Sequence, residues 1–346
     1  MPLCISYTNY QAEKPANELI PSADFLSDLH IVITRPVPVK DGRGRNPRPI
    51  AKIRRSAYDG RVIPNAHRMK FGAHVSAAGG LWNAPINAGA IGCEVLQMFS
   101  RPPQGGKPSP ITEESAEQFK GEMKKNKIER AYIHTPYFIN LASEKKSTVG
   151  GSIAVIREEL ERGTKLGCHA VMFHPGSAKD VGEEQGIKMV IDGLNRVMDG
   201  YEGSCQLLIE ISAGAGMVMG DTFEEIAAFI DGAERGSEIG VCFDTQHAFA
   251  SGYDLRTKEA VDATFKKFDK LIGLKKMVAS HCNDSMVDFE AHKDRHEHLG
   301  KGKIGLKGFE AIVKHPKLKH LDLLLETPWD GGVEKDLAYL KTFRKV

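Results

Sequence analysis

A chain of 346 residues with 41% hydrophobic content can bury a sizeable core, as one large or two ordinary domains. Its formal net charge of +2 excludes neither nucleic acid nor small polar substrates, but no apolar run approaches 18 residues, so a membrane span is not expected. Six scattered cysteines (Cys4, Cys93, Cys168, Cys205, Cys242, Cys282) form no CxxC pair, which suits neither a disulfide framework nor a cysteine zinc site and points to a reducing, intracellular compartment.

The charge is unevenly spread. Residues 33–70 hold eleven Lys/Arg against Asp41 and Asp59, whereas residues 1–32 hold one lysine against four acids. Residues 71–346 are left with a net −4. With its many Pro, Arg, Asn and Gly residues, the segment 1–69 reads as a flexible, solvated basic extension. Its "KIRR" at 52–55 suits a nuclear signal, a non-specific DNA tether or an extension without a role. Acids at 13, 18, 24 and 28 argue against a secretory signal and a simple mitochondrial leader. Nucleus or cytoplasm is the expected location, with the mitochondrion as the alternative.

From Lys70 short apolar runs alternate with amphipathic stretches. The strand-like runs are "KFGAHVS", "CEVLQMFS", "RAYIH", "HAVMFH", "QLLIEI", "VCFD", "KMVASHC" and "DLLLE". Helical patterns occupy 112–126, 150–167, 183–199, 221–234, 257–273 and 334–345, with Asp221 as the expected N-cap of the fourth. Eight β–α units over residues 70–346 predict an α/β fold, a (β/α)8 TIM barrel. An open doubly wound sheet is the alternative, weakened because no GxGxxG follows the first strand.

The polar ends of six consecutive strands carry the chemistry. They are His134, His174, Glu210, Asp244, His281 and Glu326. In a parallel barrel all of them reach one face, where barrel active sites lie. The following loops add His247 in "FDTQH" and Asp294 and His296 in "DRHEHLG". Singly, each residue has an ordinary reading as a hydrogen-bonded, salt-bridged or solvated group. Together, four carboxylates in one mouth would repel one another, and divalent cations resolve the conflict. Imidazole and carboxylate without thiolate suit zinc or manganese, and nine ligands fit two or three ions with one carboxylate shared. Three divalent ions against four carboxylates leave about +2, which suits a phosphate. His74 reads as a supporting or packing residue, and His292, His298, His315 and His320 as structural or solvent-facing.

The segments "FGAHVSAAGG", "HTPYFINLAS", "FHPGS", "IEISAGAG", "FDTQHAFASGYDLR", "SHCNDS", "KDRHEHLGKGKIG" and "LLLETPW" together resemble the endonuclease IV family of apurinic/apyrimidinic endonucleases, from about Lys70 to the C-terminus. The resemblance implies a trinuclear zinc site, with manganese possible at one position. His134, His174 and Glu210 would hold the first ion. Glu210, shared as the catalytic carboxylate, would join Asp244, His281 and Glu326 on the second, and His247, Asp294 and His296 would hold the third. It implies hydrolysis of the phosphodiester 5′ to an abasic deoxyribose, leaving a 3′-hydroxyl and a 5′-deoxyribose phosphate, and trimming of blocked 3′ ends, in base excision repair. The partner would be double-stranded DNA and the protein a monomer. Tyr137 and Phe138 resemble the family's minor-groove wedge, and Asn140 and Asn283 are candidate phosphate donors. Relatives often carry arginine followed by tryptophan after strand two. Here "FSRPPQGGKP" stands instead, so Arg101 and Lys107 are expected on the DNA backbone and Gln104 in the stack. Two other classes remain open. One is a sugar isomerase or epimerase on a similar barrel, with fewer metals and histidines; the other is a non-catalytic DNA-binding relative.

Overall fold

The computed structural model describes residues 68–345. Eight strands alternate with helices: β1 (Lys70–His74), α1 (Asn83–Ala90), β2 (Val95–Met98), α2 (Glu113–Lys125), β3 (Arg130–His134), α3 (Lys146–Leu166), β4 (Ala170–Phe173), α4 (Glu183–Met198), β5 (Gln206–Glu210), α5 (Phe223–Gly232), β6 (Gly240–Cys242), α6 (Thr245–Ala250), α7 (Lys258–Leu271), β7 (Met277–His281), α8 (Leu306–Lys314), β8 (Asp322–Leu325) and α9 (Val333–Lys345). Each strand pairs in parallel with its sequence neighbours, and β8 returns to β1, so the sheet closes and the open doubly wound alternative falls. Closure leaves no barrel strand with an unpaired edge.

The strand interiors are buried and mostly apolar, as sheets covered by helices require. Val95, Tyr132, Ala170, Met172, Leu208, Cys242, Ala279 and Leu324 fill the barrel interior. The larger cluster lies between strands and helices, with Phe71, Phe173, Phe223, Phe243 and Phe309 all inaccessible to solvent. The end of the barrel at which the strands begin is closed by an ionic plug: Arg130 donates to Asp322 Oδ1 at 2.6 Å, and the Tyr132 hydroxyl donates to Asp322 Oδ2 at 2.6 Å. At Gly72 a Cβ would lie 1.9 Å from the Val95 carbonyl oxygen, so only glycine lets β1 meet β2 there.

Several sequence expectations shift by small amounts. Helix α5 is capped by the Thr222 hydroxyl, which accepts from the Glu225 amide, rather than by Asp221. Helix α1, the short α6 and α8 were not anticipated. Helices α1 and α6 have too few apolar positions for a period of 3.6 to stand out, whereas α8, only nine residues long, does carry it in Leu306, Phe309, Ile312 and Val313. The expected extension, residues 1–69, lies outside the described residues except for Arg68 and Met69. Met69 is already buried, so the packed body reaches to within a residue of the boundary placed at Lys70. Among the described residues five cysteines are free and buried, and no helix is long and apolar enough to cross a membrane.

Candidate active site

The strand register delivers the polar ends to one rim. His134, Glu210 and His281 are the last residues of β3, β5 and β7. His174 and Glu326 directly follow β4 and β8, and Asp244 stands two residues past β6. Asp244 also starts α6: its Oδ1 accepts from the His247 amide at 2.8 Å, so the cap that begins the helix turns His247 toward the same mouth.

Three groups of ligand-type atoms result, each with its members within 4.8 Å of one another: His134, His174 and Glu210; Glu210, Asp244, His281 and Glu326; and Asp244, His247 and His296. Glu210 belongs to two of them. Asp294 adds to the third, its Oδ1 lying 3.3 Å from both His247 Nε2 and His296 Nε2. The structure therefore brings together all nine residues singled out as metal ligands. It also draws Asp244 toward the third group, 3.6 Å from His296 Nε2.

Hydrogen bonds on the outer side of the rings set the tautomers. His134 Nδ1 faces the Thr135 carbonyl oxygen at 2.7 Å, His247 Nδ1 that of Ile211 at 2.9 Å, and His296 Nδ1 that of Glu326 at 3.1 Å. A carbonyl oxygen only accepts, so these nitrogens carry the proton when the ring is neutral and their partners turn a lone pair inward. His281 uses the opposite pair: Nε2 donates to Gln97 Oε1 at 2.7 Å, and Nδ1 faces Glu210 Oε1 at 2.8 Å and Glu326 Oε2 at 3.3 Å. His247 Nε2 and His296 Nε2 are 3.4 Å apart. Two inward lone pairs at that distance need something positive between them. Outer hydrogen bonds of this kind are the usual orienters of metal-bound imidazoles.

The electrostatics agree. Burial alone would raise the Glu210 carboxyl, but the charges of His174 and His281 and hydrogen bonds from His134 and His247, all in their protonated forms, hold it well below the usual range. Glu326 and Asp294 are likewise held low against burial, chiefly by His281 and by His247 respectively. Burial pushes His174 down to about 4, and its Nδ1 has no hydrogen-bond partner.

Sequence reasoning missed Gln97, buried on β2. Its Nε2 donates to Glu326 Oε1 at 2.6 Å and to His74 Nδ1 at 2.8 Å while its Oε1 receives His281, so one amide ties three site residues. A polar residue inside an otherwise apolar strand was the available signal. His74 stands behind Glu326, 3.5 Å away, in the supporting place expected of it. Of the four histidines set aside as structural or solvent-facing, His298 is buried between Asp336 at 2.6 Å and Asp330 at 2.8 Å, and His292 is exposed.

Other contact assignments are corrected. Arg101 does not face outward: it is buried, with Nε 2.5 Å from Glu159 Oε1 and Nη2 2.6 Å from Glu158 Oε2 on α3, because an uncompensated Glu159 could not be kept ionised there. Asn283 is no phosphate donor. It is buried, with Nδ2 donating to Asp244 Oδ2 at 2.8 Å and Oδ1 accepting from the Glu326 amide at 2.7 Å, so it braces two carboxylates. The Asn140 amide is engaged with Ser177 and Ala142. Gln104 and Lys107 are exposed. Tyr137 and Phe138 are 61% and 44% exposed, unusual for aromatics, and border a cleft of about 380 Å³ that also takes in His174, His247 and Asp294.

Comparison with known proteins gives this arrangement a family. Residues 87–343 match the model of the xylose isomerase-like TIM barrel family. A probable endonuclease 4 of Halothermothrix orenii is 36% identical over 277 residues, covering 80% of this chain and 100% of the relative. That of Geobacter sulfurreducens is 37% identical over 276 residues, covering 80% and 93%. This chain belongs to the endonuclease IV family of hydrolases. The crystal structure of endonuclease IV from Thermus thermophilus superposes on this member with a TM-score of 0.70 at 31% identity, covering 80% of this chain and 98% of that one. A D-tagatose 3-epimerase-like protein matches with a TM-score of 0.61 at 16% identity, a likeness of fold alone. Bacterial relatives such as these lend no support to the nuclear or mitochondrial destinations considered for the basic segment.

Proposed function

We propose that this family member is a metal-dependent repair endonuclease that hydrolyses the phosphodiester 5′ to an abasic site in duplex DNA, as a monomer. Cleavage leaves a 3′-hydroxyl and a 5′-deoxyribose phosphate, and the same site trims blocked 3′ ends. The observation that carries the reading is the set of inward-facing imidazole nitrogens and buried carboxylates in three adjoining groups. The carboxylates meet imidazoles rather than lysine or arginine, and His247 Nε2 and His296 Nε2 face each other at 3.4 Å beside Asp294.

The donor set, nitrogen and oxygen without thiolate, fits zinc. His134, His174 and Glu210 would hold one ion; Glu210, Asp244, His281 and Glu326 a second; His247, Asp294 and His296 a third. Bound there, divalent zinc would supply a water acidic enough to attack phosphorus near neutral pH and would offset the phosphate charge.

The chain's own residues do the rest. Glu210, ionised and shared between two groups, orients the attacking water. Tyr137 and Phe138 fill the space of the missing base and hold the duplex open. The cleft beside them admits an extruded sugar, and a nucleotide without its base is the least costly to extrude because it has no stacking to lose. A sugar epimerase on the same barrel would need neither the third group nor exposed aromatics at the rim. The test is incision of a duplex carrying one tetrahydrofuran lesion, with elemental analysis of the same sample. Specific nicking by protein holding zinc is expected; ketose turnover without nicking would reverse the assignment.

A further inference from the structure

We propose that Asp284 is the positioning residue of the third ligand group, its carboxylate fixing the loop that presents Asp294 and His296. The inference rests on the metal reading above. It comes from the turn "GKGKIG", residues 300–305, whose glycines and lysines suggest an external phosphate cradle.

The structure shows that cradle filled from within. Asp284 is fully buried. Its Oδ2 accepts from the amides of Gly300 at 2.9 Å, Gly302 at 3.2 Å and Gly305 at 3.2 Å, and its Oδ1 from that of Ile304 at 2.8 Å. Successive backbone N–H groups curled around one anion form a nest, and here the anion is a side chain of the same chain. A Cβ at Gly302 would lie 2.5 Å from Asp284 Oδ1 and 2.5 Å from the Ser285 oxygen, so the nest closes only around glycine.

The nest bears directly on the ligands. Asp284 and Ser285 pair in antiparallel fashion with Glu297 and His296, which sets the backbone of His296 beside Ser285. The nest then grips the chain again four residues on, at Gly300. Gln246 holds the near side, its Oε1 accepting from the Arg295 amide and its Nε2 donating to the Lys293 carbonyl. The other ligand-type residues stand at strand ends or on α6, whereas Asp294 and His296 come from a long loop that would wander without such an anchor. Asn at position 284 would turn an NH2 group toward amide donors, opposing the nest with almost no change of volume.

The test measures zinc per chain, by elemental analysis against buffered zinc, in full-length wild type, Asp284→Asn, Gly302→Ala and His296→Ala. Asp284→Asn is expected to lose one zinc equivalent, with affinity for that equivalent weakened about 10- to 100-fold while the others stay. Excess zinc should restore both the equivalent and nicking to Asp284→Asn, whose ligands are intact, and neither to His296→Ala. Gly302→Ala, which crowds the nest from the opposite side, should reproduce the loss and decides the matter if Asp284→Asn fails to fold. Third-equivalent affinity within twofold of wild type in the folded variants, or loss of all zinc together, overturns the positioning role. A wild-type chain that never takes a third equivalent would instead sink the metal reading on which it stands.

Discussion

Replacing Arg101 by alanine separates a DNA-gripping arginine from a structural one. In the structure its guanidinium meets Glu159, which is inaccessible to solvent, and the partly exposed Glu158. Removing one member of a buried ion pair costs about 3–5 kcal/mol, because the remaining charge is left without compensation. Glu159 would keep the Ser100 hydroxyl at 2.5 Å and Arg162 at 3.8 Å, so the low end applies, about 3 kcal/mol. For a domain of this size each kcal/mol moves the melting temperature by roughly 2 °C, giving a fall of about 6 °C. Thermal unfolding followed by circular dichroism measures it. Binding of a lesion-bearing duplex, titrated with salt, gives the second arm. The slope of log affinity against log salt should stay at the wild-type value, since a lost phosphate contact would reduce it by about 0.9. An unchanged melting temperature together with a slope reduced by that amount would show the inward orientation to be wrong.

Glu210→Gln should abolish nicking of a tetrahydrofuran duplex while leaving its binding within a few-fold of wild type; full turnover would contradict the shared carboxylate. In that inactive background, Tyr137→Ala should weaken binding about tenfold, the scale of one lost aromatic stack, as read by fluorescence anisotropy, and unaltered affinity would dispose of the wedge. Prolonged dialysis against a chelator should remove activity and lower the melting temperature, and added zinc should restore both by mass action; a chelated protein that still nicks would refute metal dependence. Glu225, buried beside Asp221 and Glu183, has its carboxyl pushed up to about 7. It binds a proton in the folded chain that the unfolded chain has released, so its contribution to stability is full below its ordinary value of 4.5 and is lost as pH rises to about 7. Glu225→Gln should therefore gain stability over wild type between about pH 5 and pH 8, by up to about 3 kcal/mol, in urea unfolding at the two pH values; equal curves at both would exclude the shift.

The barrel was legible in the sequence because each strand is an apolar run ending in a polar residue, and each run had to lie between two others to be covered. "RAYIH" matches β3 residue for residue, and "QLLIEI" runs one residue past the end of β5. The site residues were legible for the same reason: once the strands are parallel, their ends share a rim. What the sequence could not show is where a side chain turns after its backbone is placed. Arg101, in a loop of prolines and glycines, reads as an outward cation until α3 packs Glu159 beneath it. Asn283 reads as a donor to phosphate until Asp244 and Glu326 arrive from two other strands to occupy its amide. Asp284 and "GKGKIG", sixteen residues apart at their nearest, form a nest only when the loop between them folds back. Residue type and local period determined which elements form and which faces they bury. Which polar groups meet was decided by tertiary structure alone, because a hydrogen bond depends on distances of about 3 Å between atoms that the chain keeps far apart until the barrel closes.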